Sequence, residues 1–302
     1  MPRPILNEKP SRNGTKVKGI LNEAVKNGMR PEQAQFIMAK ALMSDNLMEI
    51  YDAVDYNKTP YFTPSSVPTH IVMHMDTKPK FFIPTSEKEL VERYKFPEFR
   101  LKRQKGNNVV PGNASDSAYE LLLSFNEYFA LVGMGRKGSL ADQLGLQMLR
   151  DRNGEYPMMI EYAGCGVRNR QYQWYTDMIY EYKNAPHLMI KAIHQITRDG
   201  TEKYILQSEL MILLRLIVMK SRRSETQSHA IIPVLLISIR PHHYVIIEAY
   251  YDGKNVHVNY GKPIAMSEDM PPKEQDRRMK YVIGWATAQP CGKTASYKDS
   301  PQ

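Results

Sequence analysis

Cysteine is nearly missing: Cys165 and Cys291 are the only two in 302 residues. They cannot build a disulfide framework, and neither has the neighbouring cysteine that a thiolate metal site needs. A reducing intracellular compartment, cytoplasmic or nuclear, is therefore expected. Long apolar runs are missing as well. The most apolar segment, Tyr204 to Met219, contains Ser208, Glu209 and Arg215. It falls short of the roughly 20 residues of a membrane helix and belongs to a protein core, so no membrane partner is expected. Met1 to Lys16 is basic and polar with no apolar stretch behind it, and no secretory signal is expected. No internal repeat and no low-complexity block is visible, which removes the repeat architectures.

What remains is ordinary in bulk. Apolar residues make up 42% and charged residues 24%, values of a packed soluble protein. The length is twice the roughly 150 residues of one average domain, so one large domain or two modest ones would fit. Forty-one Lys and Arg against thirty-two Asp and Glu leave a net charge of +9. That excess favours nucleic acid or another polyanion as partner.

Four regions follow from the texture of the chain. Residues 1–28 mix Pro2, Pro4, Pro10, Gly14, Gly19 and Gly28 with many cations and read as a flexible basic arm, with one short helix around Ile20 to Val25. Residues 29–112 open with a helix at Pro31, where a missing N–H costs nothing. They then become proline-rich, with short strands predicted at His70 to Met75 and Lys80 to Ile83. Residues 113–265 carry the clearest pattern. Ser117 and Glu120 have capping-box spacing before the apolar face Ala118, Leu121, Leu122, Phe125 and Phe129. Runs at Leu144 to Leu149 and Pro157 to Tyr162 flank the turn signal Asp151 to Gly154 and predict a hairpin. Helical signal is expected from about Leu188 and is strongest between Glu202 and Lys220. Three strands follow at Ile231 to Ile239, Tyr244 to Tyr251 and Val256 to Tyr260, the last two joined through Asp252-Gly253. Residues 266–302 form a tail with one apolar patch at Tyr281 to Trp285.

Several apparent motifs carry no chemistry. Gly133, Gly135 and Gly138 have dinucleotide-site spacing, but a helix precedes them and a strand follows, the reverse of what such a site needs. Cys291 to Thr294 ends like a phosphate loop without its upstream glycine. His242 and His243 sit beside Pro241 between two strands and read as a turn-exposed pair. His194 reads as packed among Ile190 and Ile193.

An acidic arrangement survives. Asp142 starts a predicted strand and Glu161 lies near the end of the next, so a hairpin brings the two carboxylates to one sheet end. Such a notch suits Mg²⁺, which binds through one or two carboxylates with phosphate and water. Glu181-Tyr-Lys183 puts a carboxylate and an ammonium on one face if the segment is a strand. A metal-polarised water beside a lysine is a hydrolytic device for a phosphodiester. Arg100, Lys102, Arg103 and Lys105 form a basic run, read first as a solvated loop and second as phosphate contacts. Arg168 and Arg170 alternate with Tyr172, Trp174 and Tyr175, a mixture that tracks a phosphate backbone and stacks bases, or simply covers a core. Lys220, Arg222 and Arg223 complement the negative end of a helix dipole.

Carboxylates before and on a hairpin, then Glu-x-Lys, a helix and a further strand, resemble the core of the PD-(D/E)XK nuclease superfamily. The string Ile179-Tyr-Glu181-Tyr-Lys183-Asn-Ala185-Pro186-His187-Leu188 resembles the EYKAPH signature of fungal nuclease-like proteins in that superfamily, with Asn184 inserted. Ala141-Asp142-Gln143 and Ile160-Glu161-Tyr162 resemble its acidic strand pair. The resemblance covers about 115–260. It implies an α/β (or α+β) fold: a central mixed sheet flanked by helices, restriction-endonuclease-like in its core, with a helical and Pro-rich N-terminal extension. It also implies that Asp142 with Glu161 or Glu181 holds Mg²⁺ while Lys183 helps the attacking water. If Glu161 is the motif glutamate, Ala163 stands where the lysine belongs and the set is incomplete. The function expected is a nuclease-like protein, either hydrolysing phosphodiesters with Mg²⁺ or degenerate and binding nucleic acid. The alternatives are a non-catalytic interaction protein, for which eighteen methionines would suit an adaptable surface, and a nucleic-acid-packaging or coat-type protein using its basic arm. A protein partner or homo-oligomer is left open.

Overall fold

The structure is a computed structural model that describes residues 14–57, 59–101, 114–131, 144–149, 165–169, 172–196, 204–226 and 228–294. Its centre is a nine-stranded mixed sheet. The main path runs β2 (Ile71–Met75), β11 (Val256–Tyr260), β10 (His243–Tyr251), β9 (Val234–Arg240), β7 (Leu188–Ile196), β6 (Tyr172–Tyr182) and β4 (Leu146–Met148). β12 (Ile264–Ala265) pairs with β10, and β5 (Cys165–Asn169) pairs with β6. Neighbours are antiparallel except at two places, where β2 is parallel to β11 and β7 is parallel to β9. The second of these needs a crossover, and α5 (Gln207–Ser221) supplies it. Short ladders join β1 (Tyr61–Phe62) to β8 (Ile205–Leu206) and β3 (Phe82–Ile83) to β13 (Gln289–Pro290).

Helices cover both faces. On one, α5 and α2 (Pro31–Asp55) bury Leu213, Leu216 and Ile217 with Leu47, Ile50 and Val54 against Ile190, Leu236 and Ile247. α1 (Gly14–Lys26) packs on α2 from outside. On the other face, α4 (Ala114–Leu131) and α6 (Pro272–Ala286) bury Leu121, Phe125, Ile283 and Trp285 against Met189, Leu235 and Ile237. α3 (Glu87–Glu92) packs on α6 and starts at Ser86, whose side chain accepts the Glu89 N–H. The alternation of Leu235, Ile237 and Ile239 with Val234 and Leu236 divides β9 between the two cores, as the twofold period of a strand requires. No helix among the described residues is long and apolar enough to cross a membrane.

The expected α/β architecture with a large mixed sheet flanked by helices is what the chain adopts. The strands at 234–240, 243–251 and 256–260 fall close to the runs expected at Ile231 to Ile239, Tyr244 to Tyr251 and Val256 to Tyr260, and Pro31 opens α2. Other expectations need correction. Leu188 to Ile196 is a strand, not the beginning of a helix. It lies between β6 and β9 and is buried on both faces, so its apolar run shows no alternation that would mark it as a strand. The 168–182 stretch, read as polar and aromatic cover, contains β6. Ser117 does not cap α4, which already starts at Ala114. Its hydroxyl instead lies 2.9 Å from His242 Nδ1 and accepts the His242 N–H at 3.1 Å. That contact ties α4 to the β9–β10 turn, where His242 has a left-handed φ of 63°. Of the apolar patch Tyr281 to Trp285, Val282, Ile283 and Trp285 face inward from α6, while Tyr281 is exposed.

Candidate functional site

β6 is the strand on which the candidate chemistry converges, and a bulge decides which side each group takes. Trp174 and Ile179 face the α2–α5 core, whereas Tyr175, Met178 and Tyr180 face the α4–α6 core. The β6–β7 register shifts between Thr176 and Met178, which leaves Asp177 as the extra residue. An extra residue lets two consecutive side chains point the same way. Here it brings Met178 to the same side as Asp177 and sends Glu181 to the other, while Asp177, two residues beyond Tyr175, keeps the side toward α4.

There it meets Lys191 of β7, whose Nζ lies 2.9 Å from Asp177 Oδ2. Asn126 of α4 completes the cluster: its Oδ1 accepts from Lys191 at 2.5 Å, and its Nδ2 donates to Asp177 at 3.3 Å. The rings of Phe125 and Phe129 hold their centroids 5.1 and 5.5 Å from the ammonium. The lysine side chain is 1% exposed and the aspartate 20%. Burial pushes the Lys191 pKa down, with the charge and hydrogen bond of Asp177 pulling the other way. A buried ammonium of this kind is held only because its carboxylate and amide partners are in place.

Glu181 lies on the opposite face. Lys220 Nζ, at the end of α5, is 2.8 Å from its Oε1, and Arg223 Nη1 is 2.9 Å from the same oxygen. Glu225 joins them at 3.5 and 3.4 Å. The dipole explanation for Lys220 and Arg223 was therefore incomplete, since their nearest charge is a strand carboxylate. β6 stops at Tyr182, and Lys183 stands exposed in the following turn beside Asn184, whose φ is 65°. The carboxylate of Glu181 and the amine of Lys183 thus do not share a strand face.

Other buried acids have internal partners too. Glu209 is bound by Arg240 and Ser238, and it also accepts the Leu206 N–H at 2.8 Å. His194, buried as expected but on a strand, has Nδ1 2.8 Å from the Ser208 hydroxyl. Glu248 accepts the N–H groups of Lys80, at 2.8 and 3.0 Å, and Phe81, at 2.7 Å, with Asn259 Nδ2 at 2.6 Å. Burial raises its pKa, and these donors oppose the rise.

Asp142 and Glu161, the expected Mg²⁺ ligands, lie outside the described residues, as do Lys102, Arg103, Lys105 and Arg170. Arg100 is exposed, with its guanidinium 3.5 Å from Glu98. Arg168 falls at the β5–β6 register shift, and its side chain lies outside the described residues. Among the described residues no group of three or more His, Cys, Asp or Glu side chains is arranged to hold a metal ion.

Sequence reasoning passed over Asp177, Lys191 and Asn126. A signal was present: a lysine inside the apolar run Leu188 to Ile193 must find a partner if that run is buried. Comparison with protein-family models, with curated proteins and with solved structures gives no match.

Proposed function

We propose that this is a nuclease-like protein of restriction-endonuclease-like fold, in a degenerate form that binds nucleic acid without cutting it. The element order supports the fold: α4, then β4, β6 and β7, then α5, then β9 parallel to β7. That order of helix, strands, helix and further strand matches the resemblance except that β7 stands between Glu-x-Lys and the helix.

The observation that carries the degenerate form is the state of Glu181. Its carboxylate is shared between Lys220 and Arg223, both within 2.9 Å. An oxygen neutralised by two cations is a poor ligand for Mg²⁺, and Lys183 is not beside it. The other motif glutamate, Glu161, has Ala163 at the lysine position. A further acid–amine contact on the sheet, Asp177 with Lys191, has its ammonium buried against two phenylalanine rings and acts as a counter-ion pair. Binding rests on charge: the net +9, with Arg100, Lys102, Arg103, Lys105, Arg168 and Arg170 as phosphate contacts. An intracellular site of action, cytoplasmic or nuclear, belongs with this function.

The experiment is incubation with plasmid and single-stranded DNA, with Mg²⁺ or Mn²⁺, beside Asp142→Ala and Lys183→Ala. The expected result is binding that weakens steeply with salt, and intact DNA. Cleavage that disappears in both variants would establish the hydrolytic form, with Asp142 and Glu161 or Glu181 on the metal. Absence of both binding and cleavage would overturn the proposal in favour of a protein-interaction role.

A further inference from the structure

At the sheet edge away from β6, β2 runs parallel to β11, with His74 opposite Asn259 and His257 opposite Val72. His74 and His257 project on the same face, one diagonal step apart. His74 Nε2 and His257 Nδ1 are 3.1 Å apart. The rings are within 8° of parallel with centroids 5.4 Å apart, so nitrogen faces nitrogen near the line of centres.

His257 is held from its other side. Its Nε2 lies 2.7 Å from Asp252 Oδ2. The second oxygen of Asp252 accepts the N–H groups of Lys254 at 2.8 Å and Asn255 at 2.7 Å, so the β10–β11 turn fixes the carboxylate. Tyr250 stacks on the His257 ring at 5.0 Å and 15°. His74 is anchored through its carbonyl, which accepts the Thr77 hydroxyl at 2.7 Å.

Chemistry follows from the outer hydrogen bond. Asp252 has no proton to give, so the proton on that contact sits on His257 Nε2. In the neutral ring, His257 Nδ1 is then a bare lone pair aimed at His74. A histidine whose far N–H is held by a carboxylate is the form in which imidazole ligates metals. The 3.1 Å between the two nitrogens is the span of two ligands, each about 2.0–2.1 Å from one ion, at adjacent coordination positions.

We propose that His74 Nε2 and His257 Nδ1 bind one divalent transition-metal ion of the class imidazole favours, Zn²⁺ foremost, with Asp252 as the positioning residue and water completing the shell. The ion takes the place of the hydrogen between the rings. His74 shifts that proton from Nε2 to Nδ1, so charge and protons balance without release to solvent. Because the two nitrogens face each other along one line, each ring must turn by roughly 40° for its lone pair to meet an ion about 2.0–2.1 Å away. The site lies at the partly exposed sheet edge, open to water, and is independent of the nuclease-like function.

The test is calorimetric titration of the tag-free full chain with ZnCl₂ and NiCl₂, beside His74→Ala, His257→Ala and Asp252→Asn, each checked for folding by circular dichroism. One ion per wild-type chain is expected, with that site lost in either histidine variant. Asp252→Asn, in a surface turn where the fold is least at risk, should weaken binding about 10–100-fold. Zinc should also raise the unfolding temperature of the wild type and not of the histidine variants. No binding by the wild type, or binding matched by either histidine variant or undiminished in Asp252→Asn, would overturn the proposal.

Discussion

Glu209 of α5 and Arg240 of β9 form an ion pair with no exposure on either side, Nη2 lying 2.6 Å from both carboxylate oxygens and Nε 2.9 Å from one. Ser238 donates to the same carboxylate, and Arg240 also donates to the Tyr204 carbonyl at 3.1 Å. The pair fastens the crossover helix to the strand that follows it. Removing one partner strands a charge in the core, at a cost of about 3–5 kcal/mol. Arg240→Met should therefore unfold at markedly lower urea than the wild type. The double variant Glu209→Leu/Arg240→Met should recover much of the loss, because it removes both charges.

Acid should act on this pair in a defined window. Burial alone would raise the Glu209 pKa, but Arg240, His194 and Ser238 outweigh it and the net shift is downward from 4.5. A carboxylate with a depressed folded-state pKa contributes stability above its unfolded value and loses it as pH falls through the folded one. The wild type should lose stability below about pH 4.5 more steeply than the double variant, as urea midpoints across that range would show.

A second window belongs to the histidines. Burial lowers both His187 and His194 from 6.5 to about 4. The unfolded chain takes up protons below pH 6.5 that the folded chain refuses until about pH 4, so stability falls as pH drops through that interval. Each histidine accounts for at most about 3 kcal/mol of the loss across the whole interval. His187 sits among Phe81, Phe82 and Tyr182. His187→Phe should flatten the stability curve between pH 6.5 and 4, measured by denaturation at each pH.

The Asp177–Lys191 pair predicts an order of effects. Asp177→Ala leaves an ammonium that is 1% exposed without its counter-ion and should cost about 3–5 kcal/mol. Lys191→Met keeps an apolar stem under Phe125 and Phe129 and leaves a carboxylate that water already reaches. Its loss should be visibly smaller in the same urea titration.

Gly284 of α6 lies against the chain ahead of α3. A Cβ there would stand 2.5 Å from the Thr85 carbonyl oxygen, which is backbone and cannot swing away. The Thr85 N–H also donates to the Gly284 carbonyl at 2.9 Å. Gly284→Ala should push α6 outward and lower stability by about 1–3 kcal/mol. Gly253, with open space around its Cβ position and φ of 101°, should respond to alanine through backbone strain alone.

Sequence alone determined what depends on neighbours in the chain. Proline at Pro31 opened a helix, short runs rich in β-branched and aromatic residues between Val234 and Tyr260 made strands, and Asp252-Gly253 turned the chain between two of them. It also settled that a mixed α/β body would form, because the apolar surplus had to be buried between those elements. Tertiary structure decided the rest. Leu188 to Ile196 became a strand because partners on both sides and cores on both faces took up its apolar groups. Ser117 gave up its capping position for His242, far away in sequence. The charged groups were least legible: Glu181 looked like a partner of Lys183, but a bulge sends it to the α5 side, where it pairs with Lys220 and Arg223, while Asp177 stays on the α4 side with Lys191. Hydrophobic period is a local property that the chain carries in its order. Which charge meets which depends on register, and a single extra residue in a strand sends a side chain to the other face.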